Sequence, residues 1–339
     1  MLSDIRVSFS PHISGRFSTR SVMVDVVIGL VPAMVAAGCY FRVYAFILIP
    51  TCVISCVVTE WLCNVIRGKT NPVESLGDFS AVVTGIILAF SVPPSLPIWA
   101  AVIGSVFAIA IGKMVFGGLG ANIFNPAMVG RAFLTACFGM LMTTWTVPAT
   151  IDNLMPKISA DNKVDARTQA TPLAWSKTAI KSGEGAGEVK EQLFAAFTGE
   201  VGGCLGETSA LALLIGGVYL LIRRTISLHI PLAVLSSAFV FATITNLIDS
   251  DAYVSPLCHL CSGGLLIGAF FIATDPVTAP LTTKGMWIFG AGVGALTVLI
   301  RIVGEYPEGM MYAVLLMNAV TPLIDRFCKL IPVGGEPSV

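Results

Sequence analysis

Hydrophobic residues in this chain come in long unbroken blocks. Ten stand out, at roughly Val22–Tyr40, Val43–Ile66, Phe79–Val92, Ile98–Val115, Ile123–Met142, Thr208–Ile222, Ile230–Leu247, Leu257–Thr274, Met286–Val303 and Met310–Phe327. A helix rises about 1.5 Å per residue, so about 20 apolar residues cross a hydrocarbon core of about 30 Å. Backbone amides in lipid must be paired within their own segment, which makes these blocks helices. A spanning strand would alternate apolar and polar positions, and these blocks do not. The third and sixth are short for a full crossing and read as broken or re-entrant. The pattern predicts an all-α integral membrane protein with about ten transmembrane helices in the lipid bilayer.

Composition strengthens that expectation. Of 339 residues, 55% are hydrophobic and 12% charged, and the mean hydropathy is +0.85. A soluble domain carries about 25% charge, so much of a water-facing surface is missing. The formal net charge is zero. No basic surface interleaved with aromatics points to nucleic acid.

Orientation follows from Lys and Arg in the short loops. With the N-terminus in the cytoplasm, the inner segments hold Arg6, Arg16, Arg20, Arg67, Lys69, Lys113, Arg223, Arg224, Lys284, Arg326 and Lys329. The outer short loops hold Arg42 and Arg301. This asymmetry predicts cytoplasmic termini, an even number of spans and a long extracytoplasmic loop. The expected domains are a cytoplasmic tail at 1–21, a first membrane half at 22–142 and the loop at 143–207. A second membrane half at 208–328 and a cytoplasmic tail at 329–339 follow. The polar N-terminal tail and long first span read as an anchor, not a cleavable signal peptide.

Five spans lie on each side of the loop. An odd number per half would make two related halves inverted across the membrane plane. Gly85-Ile-Ile-Leu-Ala-Phe-Ser-Val-Pro93 parallels Gly268-Ala-Phe-Phe-Ile-Ala-Thr-Asp-Pro276. Both are glycine-started apolar runs that reach a proline at the same spacing. The fold class expected is thus two inverted five-helix repeats.

Several residues within this frame are candidates for chemistry. Arg131 falls inside the fifth span, where an unpaired charge costs at least ~2.5 kcal/mol. It either pairs with an acidic group, a phosphate or a cofactor, or it snorkels to an interface. Glu60, Asp25, Asp78 and Asp275 are carboxylates in or near spans and candidates for a cation path. Asp275 precedes Pro276, and a helix-end turn also accounts for it. Gly117-Gly-Leu-Gly120 reads as close helix packing, with a phosphate cradle as the alternative. Cys258-His-Leu-Cys261 is a lone C-x-x-C, either a redox or metal half-site or two small residues at a helix start. His12, His229 and His259 are too dispersed for a metal site.

The most informative polar run is Thr168-Gln-Ala-Thr-Pro-Leu173 in the long loop. Pro172 pushes Thr171 toward an extended backbone, which presents its hydroxyl. Ala170 leaves room beside it, and Thr168 is near enough to hydrogen-bond. On the residues alone, an ST-turn or a helix cap explains the segment.

A resemblance changes that reading. Thr168–Leu173 resembles the flavinylation motif, Ser/Thr-x-Ala-Thr, of ion-pumping electron-transport complexes. The whole chain is similar to the RnfD family, which supplies a membrane component of the Rnf complexes. The similarity runs through Ser8-Phe-Ser-Pro-His12, Phe116–Gly130, His229-Ile-Pro231, Gly268–Ala279, Phe289-Gly-Ala and Gly304–Asp325. The resemblance implies FMN joined through its phosphate to the Thr171 hydroxyl, on the outer face. Thr168 takes the motif's Ser/Thr position, and Gln169 stands where glycine is common. Some relatives hold a second, non-covalent flavin such as riboflavin. Implied partners are the other subunits of a bacterial inner-membrane complex, including a second flavinylated subunit and iron–sulfur subunits. In such a complex electrons pass between ferredoxin and NAD⁺ and drive sodium or proton movement. This chain has no nucleotide fingerprint and no iron–sulfur cysteine spacing, so those substrates are expected on other subunits. The related NqrB component of the sodium-pumping NADH:quinone reductase shares the plan but usually has a longer N-terminal extension. From the sequence without the resemblance, a flavin-free secondary transporter or channel and a structural scaffold remain as alternatives.

Overall fold

The structure is a computed structural model that describes residues 18–145, 203–207, 209–249, 255–304 and 308–329. Every regular element among them is helical. The first half holds α1 (Thr19–Phe41), α2 (Val43–Ile66), α3 (Ser80–Phe90), α4 (Ile98–Ile109), α5 (Pro126–Cys137) and the single turn α6 (Gly139–Met142). The second holds α7 (Ala210–Ile222), α8 (His229–Ile248), α9 (Pro256–Cys261), α10 (Leu265–Ile267), α11 (Thr283–Val303) and α12 (Met310–Phe327). α4 runs on as a π-turn over Ala110–Met114, and α10 as one over Gly268–Ile272.

Four helices, α1, α2, α8 and α11, are long and apolar enough to cross a bilayer. Ser80–Phe90, Ile98–Met114 and Ala210–Ile222 are shorter apolar helices. Large apolar side chains also cover the outside: Val35, Phe46, Ile54, Ile215 and Leu299 are all at least half exposed. That is the surface of a protein dissolved in lipid. All these elements fall inside the expected blocks or overrun them by a few residues, with local corrections. The fifth block does not start at Ile123. Asn125 caps the helix, its side chain accepting from the Ala127 and Met128 amides, and Pro126 occupies the first turn, where its missing N–H costs nothing. The eighth block is not continuous. Ser262 is extended and Gly263 sits at φ +68°, so the chain breaks between α9 and α10.

The reading of Gly117-Gly-Leu-Gly120 as close packing is also corrected. Gly117, Gly118 and Gly120 have φ of 129°, 109° and 92°, and a Cβ on Gly118 or Gly120 would meet nothing within 4 Å. These glycines are needed for backbone conformations that L side chains rarely adopt. Close packing occurs elsewhere. A Cβ on Gly85 would sit 2.6 Å from the Val53 Cα of α2, the small-residue contact by which membrane helices approach each other. Gly85→Leu should force α2 and α3 apart. We expect a loss of about 1–3 kcal/mol, read as a lower thermal midpoint of the detergent-solubilised chain.

The two short central helices run in opposite directions between the same two regions. The start of α3, at Ser80, and the end of the α10 π-turn, at Phe271, line one cleft. The end of α3 bonds to the segment before α7, whose Gly206 amide donates to the Phe90 carbonyl at 2.9 Å. The start of α10 joins that second region, since the same segment's Glu207 lies against Gly264. At 11 residues, α3 is about 16 Å long at about 1.5 Å per residue. Both regions therefore lie within the thickness of one membrane.

Candidate functional site

The first region is an open cleft. Its walls are apolar at Val83, Ile87, Phe270 and Phe271, and its polar lining includes Lys113, Asn122, Thr225 and Asp275. Lys113 comes from the π-turn after α4 and is buried, as is Glu60 on α2. The Lys113 Nζ donates to Glu60 Oε2 at 2.8 Å and to Ser80 Oγ at 2.6 Å. The Ser80 hydroxyl in turn donates to Asp78 Oδ1 at 2.5 Å. A π-turn adds one residue to the helical register, and here that turn carries the buried lysine. The Asn122 side chain donates to the Phe124 carbonyl at 3.3 Å. Its Oδ1 is buried with no hydrogen-bond partner.

The second region is a cluster of four buried charges. Arg131 on α5 lies 3.5 Å from Glu207 Oε1 and 3.6 Å from the Cys204 sulfur. Arg301, in the last turn of α11, donates to the His259 carbonyl at 2.6 Å and the Ser262 carbonyl at 3.0 Å. It also reaches Glu308 Oε1 at 3.4 Å. Glu308 accepts from the Gly264 amide at 2.8 Å and the Met310 amide at 3.1 Å, so it serves the starts of α10 and α12 together. Both carboxylates lie against Gly264: a Cβ there would meet Glu207 Oε1 at 3.4 Å and Glu308 Oε2 at 3.7 Å. The formal charges cancel, which is how such groups persist away from water.

Such a double cluster, at the two ends of antiparallel half-length helices, is the geometry of a cofactor or ion site within a membrane bundle. The NQR2, RnfD, RnfE family matches residues 6–334 of the sequence. The chain belongs to this family. Its relatives include one component of a Na(+)-translocating ferredoxin:NAD(+) oxidoreductase complex from Acetobacterium woodii. That protein is 45% identical over 328 residues, covering 96% of this chain and 94% of its own length. The corresponding component of a proton-translocating ferredoxin:NAD(+) oxidoreductase complex from Clostridium ljungdahlii is 41% identical, covering 97% of this chain and 96% of its own. That of an ion-translocating oxidoreductase complex from Escherichia coli is 37% identical, covering 96% and 97%.

Within the family frame, the sequence candidates separate. Thr168, Ala170, Thr171 and Pro172 lie outside the described residues. Arg131 takes the paired alternative, being 6% exposed with an acidic neighbour. Glu60 is tied to Lys113. Asp275 makes the expected turn, accepting from the Thr278 hydroxyl at 3.1 Å and the Val277 amide at 3.4 Å. Asp25 accepts from the Tyr219 and Thr225 hydroxyls, at 3.2 and 3.1 Å, and pairs with Arg223 at 3.3 Å. Cys258 and Cys261 are both free thiols in α9. Several contributors escape a reading of the sequence, Glu308 among them. Lys113 and Arg301 figure there only as loop charges, and Glu207 and Cys204 not at all. For Lys113 and Arg301 the signal is an ionisable residue inside an apolar block, the same that marks Arg131.

Proposed function

We propose that this chain is the membrane flavoprotein component of a redox-driven, sodium- or proton-translocating ferredoxin:NAD⁺ oxidoreductase. The family match across nearly the whole chain carries this reading, together with the names of relatives at 37–45% identity. FMN is joined by a phosphoester to the Thr171 hydroxyl, with Thr168, Ala170 and Pro172 forming the attachment motif. The loop is extracytoplasmic, and both termini face the cytoplasm. The bound flavin supplies the one- and two-electron chemistry, while the protein sets its position and surroundings. Ferredoxin, NAD⁺ and iron–sulfur groups belong to neighbouring subunits.

The fold reading that goes with it is ten spans in two inverted halves. What supports it is the matching use of a basic residue. Lys113, at the end of the fourth span, bonds to the start of α3. Arg301, at the end of the ninth, bonds to the break just before α10. The cleft beside Lys113 is where we assign the second, non-covalent flavin. Its aromatic and aliphatic walls suit a planar ring, and the unpartnered Asn122 Oδ1 is an acceptor for a ring or ribityl donor.

The test is a denaturing gel of the chain, co-expressed with its flavin transferase, beside Thr171→Ala. We expect a fluorescent band in the wild type and none in the variant. A dark wild-type band with active transferase would remove the covalent flavin from the proposal. Acid extraction of the native wild type should release non-covalent flavin while the band stays bright.

A further inference from the structure

A second cavity lies against the first cleft, and the buried Lys113–Glu60 pair stands in the wall between them. This vestibule is open and polar. Thr19, Glu60, Lys69, Ser75, Asp78 and Gly118 are among its lining residues, and it has about 320 Å³ of space for water. One water needs about 10–15 Å³ by that measure, so the vestibule admits bulk solvent. Leu119 is a wall of both cavities. On either side of it the linings differ: Glu60 and Asp78 line the vestibule, while Lys113 and Ser80 line the cleft. Hydrogen bonds cross the wall here. Lys113 Nζ donates to Ser80 Oγ at 2.6 Å, and Ser80 Oγ donates to Asp78 Oδ1 at 2.5 Å. Lys113 is 1% exposed and Ser80 5%, so the line runs through protein and not through bulk water. An ammonium has three donors. Glu60 Oε2 and Ser80 Oγ take two of them, which leaves one for the cleft. Pairing with Glu60 alone would neutralise the lysine. The Ser80–Asp78 arm is more than neutralisation requires.

We propose that Lys113, Ser80 and Asp78 relay protons between the first cleft and the vestibule. Lys113 Nζ passes a proton to Ser80 Oγ as the Ser80 hydroxyl passes its own to Asp78 Oδ1. Asp78 then releases that proton to vestibule water, and the Lys113 amine takes a replacement from water on the cleft side. The Ser80 hydroxyl turns back, and the line is reset. One proton has crossed the wall, with nothing oxidised or reduced, and the reverse sequence carries one inward. Glu60 stays ionised throughout as the fixed counter-charge. The Ser80 amide also donates to Asp78 Oδ1, at 2.7 Å, which holds the carboxylate in line. The other charged groups on the two linings are Lys69 in the vestibule and Asp275 in the cleft. A metal cation cannot follow this route. The Lys113 ammonium fills the narrow point and repels it at close range, where little water screens the charge. This arm is therefore a path for protons, whichever ion moves elsewhere. The orientation proposed above turns the vestibule toward the cytoplasm. The relay itself depends neither on that orientation nor on a flavin in the cleft.

The experiment follows proton exchange between the Lys113 ammonium and water, by NMR of the full chain in detergent with isotope-labelled lysine. The Lys113 signal is assigned by its loss in Lys113→Arg. Ser80→Ala removes the hydroxyl and leaves the Lys113–Glu60 bond in place. Asp78→Asn keeps an oxygen for the Ser80 amide but cannot take up a proton. Each should slow the exchange by about tenfold or more, because a positioned acid–base group contributes about 10²–10⁴-fold to a proton transfer. Ser80→Thr keeps the hydroxyl and should exchange like the wild type. Unchanged exchange in Ser80→Ala would overturn the relay, since water would then reach Lys113 by another way. Slowing that Ser80→Thr shares would also overturn it, because repacking alone would explain the loss. If Ser80→Ala does not fold, Asp78→Asn decides: slowed exchange supports the relay and unchanged exchange overturns it.

Discussion

Lys113→Met is expected to destabilise the protein by about 3–5 kcal/mol, because it strands the buried Glu60 carboxylate without its partner. Lys113 and Glu60 have side chains only 1% exposed, so the charge left behind is poorly solvated. Glu60→Leu should cost about as much, for the same reason in reverse. The double variant separates pair energy from the cost of stranding a charge. With both removed, neither member of the pair is left stranded, and Ser80 keeps its bond to Asp78. We expect the double variant to recover most of the loss, since an apolar pair of similar volume often matches a buried ion pair. The measurement is a double-mutant cycle on unfolding of the detergent-purified chain. Single variants within about 1 kcal/mol of wild type would mean that the pair is wet and the helices around it loose.

This pair also marks the limit of what the sequence displays. The apolar blocks were legible because the bilayer imposes one length and one solvent on every spanning helix. All twelve helices described lie within expected blocks or overrun them by a few residues. The breaks were less legible. Nothing in Cys258–Gly268 marks where α9 ends except glycine at 263 and 264, and glycine is common in membrane helices. The charged clusters were the least legible. Lys113 stands at the inner end of the fourth block, a few residues from Gly117-Gly118, so by sequence it counts as a cytoplasmic-side charge. The π-turn at Ala110–Met114 and the return of the chain through α5 enclose it instead. Glu207 and Cys204 became part of a site only because their segment bonds to the end of α3, a contact between residues more than a hundred positions apart. Such partners have no local signal. Thr168–Leu173 is the opposite case, legible as a motif while its residues lie outside the described structure.

Arg301→Met should be at least as damaging as Lys113→Met, with a loss of about 3–5 kcal/mol, and it should not be rescued in the same way. Arg301 is 4% exposed and holds two backbone carbonyls, His259 and Ser262, as well as Glu308. Those carbonyls lie at the break between α9 and α10, where the helix no longer satisfies them. Arg301→Lys keeps the charge but cannot span three acceptors with one ammonium, so an intermediate loss is expected. Removing Glu308 as well does not restore balance. Glu308 also accepts from the Gly264 and Met310 amides, and Glu308→Leu leaves both helix starts uncapped. The expected signature is a double variant no more stable than the worse single one, unlike the Lys113–Glu60 cycle. Recovery in the Arg301–Glu308 double variant would show that the two clusters are equivalent ion pairs. Its absence would show that Arg301 and Glu308 clamp a broken helix, while Lys113 and Glu60 neutralise one another beside the first cleft.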